Sequence, residues 1–354
     1  MENKYIGSGQ AAVMLTMFAV FCYSCMNIYG AADDMLINSV VTAVSLAVLA
    51  VPVVILGSLY SKSVPELMFE NNRFSAFILS FVYIIYFVSV SAHFLKCYAY
   101  FVTDRYFEET DEITAAILLG LVCIYISHTG AETVCRMSTV LLFLLTITSV
   151  IFIVNGWNDI IAYNINDLIP KKLSLNELSA DGIFPAAASG TVCLCILCKN
   201  TGKRTRKSTY LGIFGIFAAS TAIIYGISAV IGDYLPATEY PWLDAVIYSS
   251  RETTFRPDGI FFLLWTVTAA SVISLLCSCG GHCISCILPK LRCSGTVSGI
   301  LAISAAVISI ITESDICSMI YASPLAVIIL LSVIPLILLL LPKTRKNNLR
   351  RHDK

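Results

Sequence analysis

Apolar residues run along this chain in long continuous blocks, approximately 10–29, 37–59, 75–102, 113–128, 132–154, 182–198, 209–232, 258–282, 294–311 and 321–341, separated by polar connections. An apolar helix of about 18–20 residues crosses a hydrocarbon core of roughly 30 Å. Lipid offers backbone amides and carbonyls no water partner, so a crossing segment must be a helix or part of a closed barrel. The blocks are continuous rather than alternating, which predicts helices. The pattern predicts an all-α membrane protein, a single domain over residues 1–354 with about ten transmembrane helices, called spans 1 to 10 below.

Composition strengthens this reading. The chain is 57% hydrophobic and 13% charged, with a mean hydropathy of +0.82, whereas a soluble domain carries about 25% charged residues. Span 1 is expected to be retained rather than cleaved, because only Lys4 precedes it, polar Gln10 stands at its entry and no small-residue cleavage site follows. Of the 14 cysteines, almost all fall inside spans or at their cytoplasmic ends, with only Cys317 near an outward connection. They read as small apolar side chains rather than a disulfide framework, which needs paired, exposed cysteines.

Charge sets the orientation. Lys4, Lys62, Arg73, Arg136, the cluster Lys199, Lys203, Arg204, Arg206 and Lys207, then Lys290 and Arg292, occupy alternate connections, and the tail 342–354 is strongly basic. The positive-inside rule then predicts both termini in the cytoplasm. Most acidic residues lie on the opposite side, including Asp33, Asp34 and the 104–112 stretch, and none lies near the middle of a span. That pattern disfavours a proton-coupled pump, which carries an intramembrane carboxylate. No acid/base pair, nucleophile constellation or phosphate-binding glycine loop points to an enzyme, and neither a cofactor nor a nucleic-acid partner is expected.

Ten spans divide into five plus five. Because five is odd, span 6 starts on the side opposite to span 1, as an inverted repeat requires, with the first repeat about 10–154 and the second about 182–341. In span 6, Pro185 precedes the small run Ala186, Ala187, Ala188, Ser189 and Gly190. This reads either as a break with freed backbone groups or as a tight helix–helix contact. Span 1 has no glycine between residue 18 and Gly30, so its local chemistry does not force an unwound segment.

Several segments together resemble the spore germination permease family, the B subunits of bacterial germinant receptors, within the amino acid–polyamine–organocation transporter superfamily. They are Gln10 at the entry to span 1, GAETVCR (130–136), NINDLIP (164–170), the basic KNTGKRTRK run (199–207), YPWLDAVIYSS (240–250), Arg256, Asp258 and Trp265 at the head of span 8, and the tail PLILLLLPKTRK. The resemblance extends over nearly the full length. It implies a LeuT-like 5+5 fold and a ligand site between spans 1, 3, 6 and 8. It also implies a membrane-anchored A subunit and a lipoprotein C subunit as partners, and a place in the spore inner membrane. Two positions depart from the family: Phe21 and Tyr23 stand where members carry Gly-x-Gly, and Gly190 stands where many carry a glutamate.

On that fold the candidate ligand-binding residues are Ser24 and Asn27 of span 1, Tyr83 and Tyr86 of span 3, Ser189, Gly190 and Thr191 of span 6, and Thr268 and Ser271 of span 8. Each has a plainer reading as an interhelical hydrogen bond, close packing or hydroxyl back-bonding to the preceding turn. In span 3, Lys96 reads as snorkelling to the interface and His93 as a packing residue. In CSCGGHCISC (277–286), the residues Cys279, His282, Cys283 and Cys286 would share a face of a continuous helix and offer soft ligands to zinc. The Gly280–Gly281 pair argues against that continuity, and packing is the favoured reading, so no metal is expected. The expected function is a sensor for a small nutrient resembling an amino acid. The alternatives are an amino acid secondary transporter of the same fold and a non-binding structural partner.

Overall fold

The computed structural model describes residues 6–25, 32–107, 109–155, 183–231, 238, 240–249, 258–288, 294–312 and 315–340. Helix is the only regular structure among the described residues. In chain order the helices are α1 (Ser8–Cys25), α2 (Ala32–Leu49), α3 (Val51–Tyr60), α4 (Val64–Asn71), α5 (Arg73–Arg105), α6 (Glu112–Thr129) and α7 (Ala131–Asn155). There follow α8 (Ile183–Thr201), α9 (Thr205–Ile231), α10 (Pro241–Ser249), α11 (Asp258–Ile287), α12 (Ser294–Ile311), α13 (Asp315–Ala322) and α14 (Pro324–Leu340), which contains a π-helical turn at Ile329–Val333.

Among the described residues, five helical stretches are long and apolar enough to cross a membrane: Arg73–Arg105, Glu112–Thr129, Ala131–Ile151, Phe184–Ile231 and Gly259–Ile287. The number rises to seven if each of two bent pairs counts as one span. One bent pair is α2 and α3, turned by 41° where Pro52 enters the first turn of α3. Ser8–Phe21 and Pro324–Leu340 are apolar but shorter.

The helices are apolar on the outside. Phe74, Phe77, Ile78, Phe81 and Ile85 of α5, Ile117, Leu118, Leu121 and Val122 of α6, and Val140, Phe143 and Ile147 of α7 are all exposed. A water-soluble protein rarely exposes contiguous apolar surface on this scale, whereas a bilayer demands it. The interior holds the hydroxyls instead, and many of them back-bond to the preceding turn. Ser91 Oγ donates to the Phe87 carbonyl at 2.7 Å and Thr209 Oγ1 to the Thr205 carbonyl at 2.9 Å. This arrangement satisfies a buried donor without water.

The 48-residue helical stretch Phe184–Ile231 doubles back. The Ile6 amide donates to the Asn200 carbonyl at 3.2 Å, and a methyl on Gly190 would meet the Phe18 ring at 2.9 Å, so α8 runs antiparallel to α1. Gly212 and Gly215 of α9 sit against Leu15 and Thr16, in the same direction as α1. The reversal occurs at the 3-10 turn Gly202–Arg204, where Gly202 has φ +53°.

Two further pairs are antiparallel. Tyr98 Oη donates to Thr266 Oγ1 at 3.2 Å, and Cys277 Sγ lies 3.7 Å from Ser91 Oγ, which fixes α5 against α11. Gly120 faces Ala306 and Gly295 faces the His128 carbonyl, which fixes α6 against α12. Helix α2 also packs on α9, α1 on α9, α2 and α3 on α8, α5 on α12 and α6 on α11. Helix α1 packs on α7, and α8 packs on α14.

Candidate functional site

Helices α1, α5, α8 and α11 converge, and large side chains fill the place where they meet. Phe21 stacks on Trp265 with ring centroids 5.9 Å apart, Tyr98 stacks on the same indole at 5.1 Å, and Phe94 meets Phe21 edge-on at 5.1 Å. Phe18 lies against Gly190 and is fully buried. The aromatic residue at position 21 thus occupies space that a glycine there would leave open.

The candidate hydroxyls on these helices are engaged locally. Ser189 Oγ donates to the Ala186 carbonyl at 2.7 Å, Thr191 Oγ1 to Ala187 at 2.8 Å, Thr268 Oγ1 to Leu264 at 2.9 Å and Ser271 Oγ to Val267 at 2.7 Å. Helix α8 is continuous through Ser189, Gly190 and Thr191, so the expected break there is not observed. Pro185 is the third residue of the helix, where its missing N–H leaves no intrahelical bond unmade. Ser24 lies in the last turn of α1, and Asn27 and the NINDLIP segment lie outside the described residues.

Tyr83 and Tyr86 face α8 and α14. In the π-helical turn the Ile334 amide donates to the Ile329 carbonyl, and Pro335 has no N–H to offer, so the Leu330 carbonyl loses its helical donor. Tyr83 Oη donates to that carbonyl at 2.6 Å, and Cys195 Sγ approaches it at 3.5 Å. The Tyr86 hydroxyl and the Trp265 indole N–H are buried with no hydrogen-bond partner among the described residues. His93 stacks on Tyr321 at 4.5 Å, in keeping with a packing role. Lys96 Nζ donates to the Thr312 carbonyl just past the C-terminus of α12 at 3.1 Å, where a cation complements the helix dipole.

A cavity of about 1270 Å³ opens at one end of the bundle, lined by Ser61, Glu132, Lys199, Arg204, His282 and Gly295 among others. Each comes from a connection, or the end of a helix beside one, on the side that carries the basic residues. Here Lys62 pairs with Glu70, Arg136 with Glu132 and Lys199 with Glu66. Burial alone would raise the Glu66 carboxyl. The hydrogen bond from Lys199, the charges of His282 and Lys199 and the Ser63 amide outweigh it and hold Glu66 below the usual carboxylate range. At the opposite end Arg105 reaches Asp104 at 3.2 Å and Asp244 at 4.0 Å, and lies over the Tyr240 ring.

The cysteine-rich end of α11 is unbroken helix through Gly280 and Gly281, contrary to the expectation from that pair. Close packing accounts for both glycines, since a methyl would meet Leu301 at 2.9 Å from Gly280 and the Ser298 backbone at 3.1 Å from Gly281. The four soft ligands divide between two sets of neighbours. Cys279 and Cys283 are fully buried near Cys193 and Cys195, whereas His282 and Cys286 turn toward α4. Their neighbour there is Glu66, which sequence reasoning missed as a site residue. Its signal was the capping box of α4, in which Ser63 and Glu66 exchange hydrogen bonds.

All eleven cysteines whose side chains are described are free. In comparisons with known proteins, no family model and no curated relative matches this chain.

Proposed function

We propose that this chain is a transporter-fold membrane protein of two inverted five-helix repeats, and that it serves as the nutrient-sensing B-type subunit of a spore germinant receptor. The observation that carries the fold is an exchange symmetry in the packing. With α1, α2–α3, α5, α6 and α7 as one repeat and α8, α9, α11, α12 and α14 as the other, replacing helices by their counterparts turns three of the observed contacts into three others. The α1–α9 contact becomes α8 on α2–α3, α5–α12 becomes α11–α6, and α1–α7 becomes α8–α14. The counterparts α1 and α8, α5 and α11, and α6 and α12 lie side by side in opposite directions. An inverted repeat requires opposite directions of its counterparts.

The receptor reading adds the resemblance carried by Gln10, the GAETVCR step, the basic 199–207 run and Trp265. In that reading the basic end with the large cavity faces the cytoplasm. A small nutrient resembling an amino acid binds between α1, α5, α8 and α11, and its preference for one conformation shifts an equilibrium relayed to the A and C subunits. The buried, unpartnered Trp265 N–H and Tyr86 O–H support a polar ligand in this region, because an unmade buried hydrogen bond costs about 1–3 kcal/mol. A second reading, a non-binding partner subunit, is favoured by the packed Phe18, Phe21, Phe94 and Trp265 cluster. An amino acid secondary transporter of the same fold is the third.

Spores of the host that lack this chain should lose germination on at least one amino-acid nutrient and regain it on complementation. An unchanged response across an amino-acid panel would overturn the receptor reading. Amino-acid flux by the purified chain in vesicles would replace it with the transporter.

A further inference from the structure

Three different metal-binding side chains from two distant parts of the chain meet at the basic end of the bundle. Glu66 lies on α4, and His282 and Cys286 lie one turn apart on α11. One ligand atom from each falls within 4.8 Å of the other two. The His282 Nε2 to Glu66 Oε1 distance is 3.7 Å and the His282 Nε2 to Cys286 Sγ distance is 3.6 Å. Ligands at about 2.0–2.3 Å around a tetrahedral zinc ion lie roughly 3.3–3.8 Å apart. The two separations from His282 are therefore close to the edges of a zinc coordination tetrahedron, and the third lies within 4.8 Å. Ser63 Oγ, 3.0 Å from His282 Nε2, borders the same place.

We propose that Glu66, His282 and Cys286 form a zinc site that ties the short helix α4 to the end of α11. A nitrogen, a sulfur and a carboxylate oxygen suit zinc, whereas calcium and magnesium take oxygen donors. Three protein ligands leave the fourth position to water. His282 lines the large cavity, which gives the ion a route in. The site has a built-in competitor, because Lys199 Nζ bonds the same Glu66 oxygen that faces the histidine. Binding displaces that ammonium and releases the Cys286 thiol proton, so the three ligands carry two negative charges against the ion's two positive ones. Cys279 and Cys283 take no part, since the ligand atoms that gather within 4.8 Å are those of Glu66, His282 and Cys286.

The test is a Zn²⁺ titration of the purified full-length chain in detergent, in competition with a chromophoric zinc indicator. About one equivalent should bind. His282→Ala and Cys286→Ala should each weaken binding at least tenfold, and the double variant should abolish it. Cys283→Ala should leave it unchanged. Lys199→Met should tighten it several-fold, an effect that a merely structural role for these residues does not predict. Less than about a tenth of an equivalent bound, or one equivalent retained in a folded His282→Ala, Cys286→Ala double variant, would overturn the proposal.

Discussion

Where no water reaches, a single polar side chain can decide whether a distortion survives. The Leu330 carbonyl loses its donor because Pro335 follows five residues later, and Tyr83 supplies another from α5. Gly190 makes the opposite point, since its importance lies in what it lacks. A Cβ there would come within 2.9–3.2 Å of three Phe18 atoms, and Phe18 is fully buried with nowhere to move. Gly190→Ala should therefore destabilise the protein by about 1–3 kcal/mol, as overpacking does. Phe18→Leu in the same chain should recover part of that loss. Thermal melts of the two single variants and the double variant measure this coupling, and additive shifts would show that the two residues do not press on each other.

Helices in this chain turn where one residue permits it. Gly202 adopts a left-handed φ of +53° at the reversal between α8 and α9, and a side chain there would make only ordinary contact with Ser61. The demand at this position is conformational rather than steric. A left-handed conformation costs an ordinary L-residue about 1–2 kcal/mol, and asparagine less. Gly202→Val should lower the melting temperature clearly while Gly202→Asn stays near the parent. Equal melting of the valine variant and the parent would contradict the assignment of the turn to this glycine. By contrast, Gly280 and Gly281 sit in continuous helix, where their role is to let α12 approach α11.

For the whole molecule the decisive question is which end faces the cytoplasm. The segments near Ile6, Ser61, Glu132, Lys199 and Gly295 line one cavity, so they share a side. On the positive-inside rule we propose that this side faces the cytoplasm. In a thiol-depleted background, Glu109→Cys and Asn176→Cys should react with impermeant maleimide added outside whole cells, and Lys203→Cys and Asn347→Cys should not. Labelling at 203 from outside would invert the orientation and move the large cavity to the outer face.

Block lengths and composition, both local properties, determined the all-helical class and the membrane character, whereas of the ten expected spans five to seven are long and apolar enough to cross a membrane among the described residues. The outward apolar faces of α5, α6 and α7 follow from the same composition. Sequence could not decide what a small-residue run does. Ser189, Gly190 and Thr191 suit a broken helix or a tight contact equally well, and only the position of Phe18 decides for contact. Nor could it sort the soft ligands of the 277–286 stretch. His282 and Cys286 differ from Cys279 and Cys283 by less than half a helical turn, and only the placement of Glu66, more than two hundred residues away, separates them. A helix has the same repeat whatever surrounds it, so its faces acquire meaning from the neighbours that the fold supplies.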